Sequence, residues 1–494
     1  MQYKLVFSLL GLLLTLFSLS MLVPAGVAII YAEENATVFL TSFLLTCAGG
    51  ASLWLGSRSD GRELRTRDGF LLTALFWAVL GLFGSLPFYL DPGLQLSLSN
   101  AVFESMSGLT TTGATVITGL DELPKSLLYY RQQLQWLGGI GIIVIAIAIL
   151  PLLGVGGMQL YRAETPGPMN DKKLTPRIAG TAKVLFLIYL IMTVACAFFY
   201  WLAGMSTFDA ICHSFSTVAI GGFSTYDASM GHFESDMILW VGIVFMLLAG
   251  ANFGLHYFAF REQSLARYWR DPELRFFYLL LLFAAVVVFF SVMGSTFGSD
   301  AYQQAINDRA LVGDVLTDSA FQVVSLASTT GFASTDYTAW PLATTVFMFL
   351  LATVGACAGS TGGGMKAIRV MLILKQGYRE IVRLVHPSAI ITIKLGNRPV
   401  KDSVIAAVWS FFAIYIMTLF VLFMAVLTTG LDFLTAFSAV SASINNLGPG
   451  LGGVSANYAS IPDAAKWILC FAMLIGRLEV FTLLVLFTPA FWKK

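Results

Sequence analysis

Long apolar stretches alternate with short polar loops along almost the whole chain. The first two run from Leu5 to Tyr31 and from Thr37 to Gly56, joined by an acidic link at Glu33 and Glu34. Others lie at 69–90, 134–153, 180–204, 237–260, 275–297, 340–372, 402–429 and 463–490. A helix crosses a bilayer in roughly 20 apolar residues, so the pattern predicts ten spans. The opening stretch is too long for the apolar part of a signal peptide, and a second follows at once, so it reads as a span. Four shorter segments, 99–115, 208–224, 315–334 and 432–450, are semi-apolar and rich in Ser, Thr and Gly. They are too short to cross and have the length of re-entrant segments.

Composition agrees with a membrane-embedded chain. Of 494 residues, 57% are hydrophobic and 12% charged, too little charge to cover a soluble domain. A net charge of +1 carries no signal for nucleic acid, and none is expected as a partner; the long apolar faces imply membrane lipid. The five cysteines are scattered with no CxxC spacing and read as small residues packed in helices, and the four histidines form no HExxH pattern. There is also no GxSxG and no paired aspartates within spans, which argues against an intramembrane enzyme. All but five of the 29 basic residues fall at the two termini or in four loops, around 58–67, 162–183, 261–275 and 366–401. The five are Lys125, Arg131, Arg309, Lys466 and Arg477. The opposite loops are acidic, with Asp209, Asp227, Glu234 and Asp336 among them. The excess of positive charge puts both termini on the cytoplasmic side and the four short segments on the outer side.

Those four segments resemble one another. They read Phe103-ESMSGLTTTG-Ala114, Cys212-HSFSTVAIGG-Phe223, Phe321-QVVSLASTTG-Phe332 and Phe437-SAVSASINNLG-Pro449. Gly113, Gly222 and Gly331 are evenly spaced along the chain; Gly448 follows after a longer interval, and its segment has one extra residue. An N-cap or first-turn acid is expected at Ser99 and Asn100, Thr207 and Asp209, Asp314, and Asp432. Each segment is then a short helix entering from outside and stopping at the Thr/Gly stretch. Irregular backbone at membrane depth is tolerated only where protein buries it or where it lines water. Four such segments imply a shared axis, where rings of carbonyls replace the hydration shell of a monovalent cation. No carboxylate lies in the Thr/Gly stretches, which disfavours a divalent site. The plainer reading is that these Gly, Ser and Thr residues only pack helices together.

On these motifs the chain resembles the Trk/Ktr/HKT superfamily, and within it the TrkH-type subunits of bacterial potassium uptake. Thr110-TTG-Ala114, Ala219-IGGFS-Thr225, Ser328-TTG-Phe332, Asn445-NLGP-Gly450, Gly355-ACAGSTGGGM-Lys366 and Gly476-RL-Glu479 carry the likeness, which covers nearly the whole chain. It implies an all-α polytopic protein of four membrane–pore–membrane repeats after an N-terminal hairpin. The hairpin spans 1–60, and the repeats 61–160, 161–265, 266–385 and 386–494. It implies potassium contacts at the carbonyls of Thr111, Thr112, Ile220, Gly221, Thr329, Thr330, Asn446 and Leu447, with Gly113, Gly222, Gly331 and Gly448 just beyond. Glycine at all four positions is associated in the family with potassium selectivity, and serine in the first with sodium permeation. The resemblance also implies a homodimer in the bacterial inner membrane and a cytosolic, nucleotide-binding regulatory ring of the TrkA type. No GxGxxG opens a βαβ unit here, so any nucleotide belongs to that separate partner and no organic cofactor is expected in this chain. The loops 154–183 and 366–401 are either its docking surface or simply the positive side of the topology.

Two further features fall within spans. Gly355, Gly359, Gly362, Gly363 and Gly364, with Ser360 and Thr361 and ending at Lys366, interrupt the stretch 340–372. Each glycine costs a helix about 1 kcal/mol against alanine. The segment is not a phosphate loop, because Met365 follows Gly364 and Ala367 follows Lys366. It is a kink or, as the resemblance implies, a loop blocking the pore below the filter. Arg477 sits within the last apolar stretch, where an unpaired charge is costly and points to function. It is either paired structurally with Glu479 or placed in the pore as an electrostatic barrier. The strongest competing function is a symporter coupling potassium to protons or sodium, with Glu104 and His213, which align with Gln322, as relay groups or as hydrogen-bonding groups of the pore helices.

Overall fold

The computed structural model describes residues 1–57, 66–144, 178–296 and 309–493. Almost all of its regular structure is helical; a two-residue ladder pairing Lys394–Leu395 with Arg398–Pro399 is the one sheet among the described residues. Six helices are long and apolar enough to cross a membrane: Tyr3–Ile30, Ala36–Gly56, Arg67–Leu90, Lys183–Leu202, Pro272–Ser295 and Asp402–Leu427. The chain is a multi-pass membrane protein.

Of the other four expected spans, three are broken and one is described only in part. The expected 134–153 span is a helix from Lys125 to Val144, and 145–153 lies outside the described residues. Its polar run Arg131, Gln132, Gln133 and Gln135 lowers its hydropathy, and all four side chains are buried inward. The 237–260 stretch breaks by 90° between Asp236–Ala249 and Phe253–Arg261. Asn252 causes the restart, its side chain accepting from the Gly254 N–H at 2.8 Å. The 463–490 stretch turns by 107° at Leu478, where Glu479 has φ 53°. The 340–372 stretch is Leu342–Leu351, a loop, and Ala367–Val385. Broken inner helices are therefore not confined to the third repeat, as the glycine content alone suggested.

Four short helices lie between these spans: Leu98–Leu109, Thr207–Ala219, Arg309–Ala327 and Phe433–Ile444. Their starts bear out two of the four expectations: Asp209 lies in the first turn of the second helix, and Asp432 caps the fourth. Ser97 and Ser206 cap the first two through their hydroxyls, accepting from the Asn100 and Asp209 N–H groups. Asp314 lies inside the third helix, and Asp432 caps the fourth as expected. Each has one or two spans packed on either side, so they sit at the protein's centre.

The N-terminal hairpin packs backbone against backbone. A side chain at Gly11 would lie 2.6 Å from the Gly50 carbonyl, so small residues set the approach of the two helices. Two ties hold it to the core. The Glu33 carboxylate accepts from the Lys125 and Ser126 N–H groups at 2.7 and 3.1 Å, where a helix N-terminus favours negative charge. Gln133 Nε2 donates to the Ser20 carbonyl at 2.9 Å.

Candidate functional site

The four central helices end alike. Thr111, Ile220, Thr329 and Asn446 have φ of 53°, 55°, 71° and 52°, the left-handed region. Each N–H donates to the carbonyl three residues back, and the next N–H to the carbonyl five back. The second bonds are Thr112 to Ser107, Gly221 to Ser216, Thr330 to Ser325 and Leu447 to Ala442, at 2.8–2.9 Å. This is the Schellman termination of a helix, in four copies. It makes Asn446 the equivalent of Thr111, so the register of the fourth segment, the least defined in sequence, matches the other three. Three of these residues are β-branched, and a β-branched side chain in this region is a strained outlier. Strain repeated at one position in several segments marks a backbone held in place for function.

The glycines two positions further on close a ring. A Cβ on Gly113 would overlap the Gly221 carbonyl, and one on Gly222 the Thr330 carbonyl. One on Gly331 would lie 3.2 Å from the Gly448 nitrogen, and one on Gly448 2.6 Å from the Gly113 carbonyl. The segments thus touch in the order first, second, third, fourth and back to the first. Gly113, Gly222 and Gly331 have φ of 82°, 78° and 84°, whereas Gly448 lies outside the left-handed region. The fourth segment departs from the others here, before Pro449.

Eight carbonyls belong to this ring, those of Thr111, Thr112, Ile220, Gly221, Thr329, Thr330, Asn446 and Leu447. All eight residues are buried. Seven of the carbonyls accept no hydrogen bond from the described residues; the Gly221 carbonyl accepts one from Gln135 Nε2 at 2.6 Å. Buried carbonyls are paired in the great majority of cases, so seven without donors beside these four glycines are an exceptional concentration of unpaired acceptors. On one side all four glycines line a cavity of about 780 Å³ that Asp227 and Asp336 also border.

The glycine loop packs against the same four-segment centre. Gly363 N–H donates to Thr329 Oγ1 at 2.7 Å, Gly364 N–H to the Asn445 carbonyl at 3.0 Å, and Thr361 Oγ1 to the Val218 carbonyl at 2.9 Å. The loop therefore touches three of the four segments directly beneath the ring. A Cβ on Gly362 would lie 2.8 Å from the Ser328 carbonyl, and one on Gly363 would overlap the Asn445 carbonyl, so only glycine fits this close. Lys366 is buried and folds back, Nζ donating to the Gly362 carbonyl at 2.8 Å. Gly355 packs against Gly364, and Gly359 against the Asn252 side chain. Backbone bonds from Cys357 N–H to the Gly250 carbonyl and from Phe253 N–H to the Gly359 carbonyl, 3.0 and 3.1 Å, tie the loop to the break in the neighbouring helix.

Arg477 joins this loop to the first inner helix. Its Nη1 donates to the Thr361 carbonyl and its Nη2 to the Gly138 carbonyl, both at 3.0 Å, and the guanidinium is buried. It pairs with no carboxylate among the described residues. Glu479, the partner proximity in sequence offered, pairs instead with Arg369 at 2.7 Å. The turn at Leu478 separates the two side chains that sequence places two residues apart.

Glu104, His213 and Gln322 do one job in three segments: each ties its helix to the strand that leaves the ring. Glu104 accepts from Thr115 Oγ1 and from the Val116 N–H, at 3.0 and 2.9 Å. His213 shares hydrogen bonds with the Asp209 carbonyl and Ser224 Oγ at 2.9 and 3.0 Å, and Gln322 Oε1 accepts from the Ser334 N–H at 3.4 Å. In the fourth segment Ser438 does this through the Leu451 backbone. Glu104 also forms a buried ion pair with Arg131 at 2.8 Å, and Arg131 Nη1 reaches the Ser224 carbonyl. Removing one partner strands a buried charge, at a cost of about 3–5 kcal/mol. Glu104→Gln is therefore expected to lower thermal stability in detergent sharply, and Glu104→Gln with Arg131→Met to recover most of it.

Two residues at the site escaped sequence reasoning. Glu273, at the start of a span, accepts from the Ala358 and Ile368 N–H groups at 2.7 and 3.2 Å, and so clamps both ends of the glycine loop. In sequence it is one more loop charge. Gln135 is the other, and the polar run of its helix was the signal available.

Comparison with known proteins gives the family of the chain. Residues 35–494 match the TrkH family profile, described as a cation transport protein. The chain is 53% identical to the Trk system potassium uptake protein TrkH of Halomonas elongata and 50% identical to that of Escherichia coli K12, over 100% of both chains in each case. It is 42% identical to TrkG of Escherichia coli K12, over 98% of this chain and 97% of that protein. The crystal structure of the potassium transporter TrkH from Vibrio parahaemolyticus superimposes with a TM-score of 0.90 at 48% identity, covering 100% of both chains. Sequence and fold agree, and the chain belongs to the TrkH family of cation transport proteins.

Proposed function

We propose that the protein takes up potassium across the bacterial inner membrane through the ring of Thr111–Gly113, Ile220–Gly222, Thr329–Gly331 and Asn446–Gly448. The observation that carries this is the set of seven buried carbonyls without donors, arranged around one axis by four equivalent helix ends. Such a ring replaces the hydration shell of a monovalent cation. The helix C-termini behind it add partial negative charge, and Asp227 and Asp336 draw cations to its mouth. The relatives are named as potassium uptake proteins, transporters and not enzymes, and they supply the choice of ion.

The loop Gly355–Lys366, held by Glu273 and Arg477, is the gate in this reading. It closes the path under the ring, and uptake needs it to withdraw. A cytosolic regulatory ring drives that movement, docking on the exposed basic residues of 366–401, among which Lys366, Arg369 and Arg379 do not count because they are buried, and on 154–183, whose residues up to 177 lie outside the described residues. A homodimer with both termini in the cytoplasm follows from the same reading. Coupling to protons finds no support in the candidate relay groups, since the Glu104 carboxylate and both His213 ring nitrogens are engaged in hydrogen bonds.

The deciding experiment is flux in proteoliposomes with potassium, rubidium, sodium and lithium, with and without the regulatory partner. Potassium and rubidium pass, sodium and lithium do not, and current reverses at the potassium equilibrium potential at every pH. A reversal that moves with the proton or sodium gradient would establish the coupled symporter instead.

A further inference from the structure

The ring is not equivalent in its four quarters. At the position just before the glycine, three segments carry a side chain, Thr112, Thr330 and Leu447, and the second carries Gly221. The missing side chain is replaced from outside. A Cβ on Gly221 would lie 2.5 Å from Gln135 Oε1 and 2.8 Å from Gln135 Nε2, so the Gln135 carboxamide occupies the space a side chain at 221 would fill. Its Nε2 donates to the Gly221 carbonyl at 2.6 Å, and its Oε1 accepts from the Phe223 N–H at 3.1 Å. The two bonds together fix which end of the amide faces which group. One helical turn earlier on the same helix, Arg131 stacks on the Phe223 ring, 4.3 Å from its centroid.

We propose that Gln135 is a positioning residue that sets ion discrimination, by engaging one of the four carbonyls in the ring of Thr112, Gly221, Thr330 and Leu447. The proposal rests on the filter reading above. A carbonyl already accepting a hydrogen bond offers a weaker field to an ion. A smaller cation approaches more closely and gains more from each dipole. A ring with three free carbonyls and one engaged therefore penalises sodium more than potassium. Discrimination at this ring is built from a side chain outside the filter as well as from its glycines.

The test uses the full-length protein in proteoliposomes loaded for parallel potassium and sodium uptake. Gln135→Met keeps the length of the side chain and removes both hydrogen bonds. Potassium uptake is expected to persist, and the potassium-to-sodium ratio to fall about fivefold, the effect of one neutral hydrogen bond. A purely structural role would lower uptake of both ions alike, and a ratio equal to that of the unsubstituted protein overturns the proposal. Should Gln135→Met fail to fold, a complementary pair decides. Gly221→Thr alone collides with Gln135 and is expected to abolish uptake. Adding Gln135→Ala, which recreates the Thr112 and Thr330 arrangement, is expected to restore potassium uptake at a lowered ratio; failure to restore it overturns the proposal. If the unsubstituted protein does not discriminate between the two ions, the filter reading itself falls.

Discussion

Arg477→Ala raises basal potassium flux in the absence of the regulatory partner. Two effects add in the same direction. The substitution removes the hydrogen bonds that hold the Thr361 and Gly138 carbonyls together, so the loop loses one of its anchors. It also removes a buried positive charge next to the proposed ion path. At an effective dielectric constant near 20, a unit charge about 8 Å from a cation raises its energy by about 2 kcal/mol. That alone corresponds to more than about tenfold in rate. Arg477→Lys keeps the charge but cannot span both carbonyls, so its flux is expected to lie between the two. Tracer uptake into proteoliposomes reads the difference. A folded alanine variant with unchanged or reduced flux would remove Arg477 from the gate.

Gly113→Ser relaxes discrimination of potassium against sodium. Gly113 has φ of 82°, and any Cβ there overlaps the Gly221 carbonyl, so the substitution strains the first segment and displaces a proposed ligand in the second. The rise in sodium uptake relative to potassium is expected to be about tenfold or more, matching the loss of one coordinating group. Gly448→Ala serves as the comparison. Gly448 is outside the left-handed region, so the strain is absent, although its Cβ would still lie 2.6 Å from the Gly113 carbonyl. A smaller loss of selectivity is expected there. If Gly113→Ser leaves selectivity intact, the segments are not the filter.

The two predictions rest on different kinds of information. Gly113 is legible in the sequence because its environment is local: the helix end, the left-handed residue and the glycine lie within three positions. The same holds for Gly222 and Gly331, whose even spacing repeats the local pattern. Gly448 was legible only as a motif, since one extra residue made the register of its segment the least defined of the four. The left-handed Asn446 and its bond pattern settle that register, and Ser438 absorbs the extra residue by clamping one position earlier.

The partners of charged groups were not legible in this way. Sequence proximity offered Glu479 to Arg477, yet the turn at Leu478 sends Glu479 to Arg369, more than a hundred positions away. Glu104 meets Arg131, and Glu273 meets the two ends of the loop, for the same reason. A buried charge must find a partner somewhere, but which one depends on helices that only packing brings together.

The sequence by itself determined the membrane class of the protein, the approximate position of its apolar stretches, the four central segments and the glycine loop. These follow from hydropathy over some twenty residues and from backbone chemistry over three or four, both of which are local. Only the tertiary structure decided where the inner helices break, that the loop seals against three segments at once, that Arg477 holds backbone carbonyls in place of a carboxylate, and that Gln135 stands in for the side chain Gly221 lacks. Each of these is a contact between elements far apart in the chain, and a single buried carbonyl or charge can be satisfied by many partners until packing leaves one within reach.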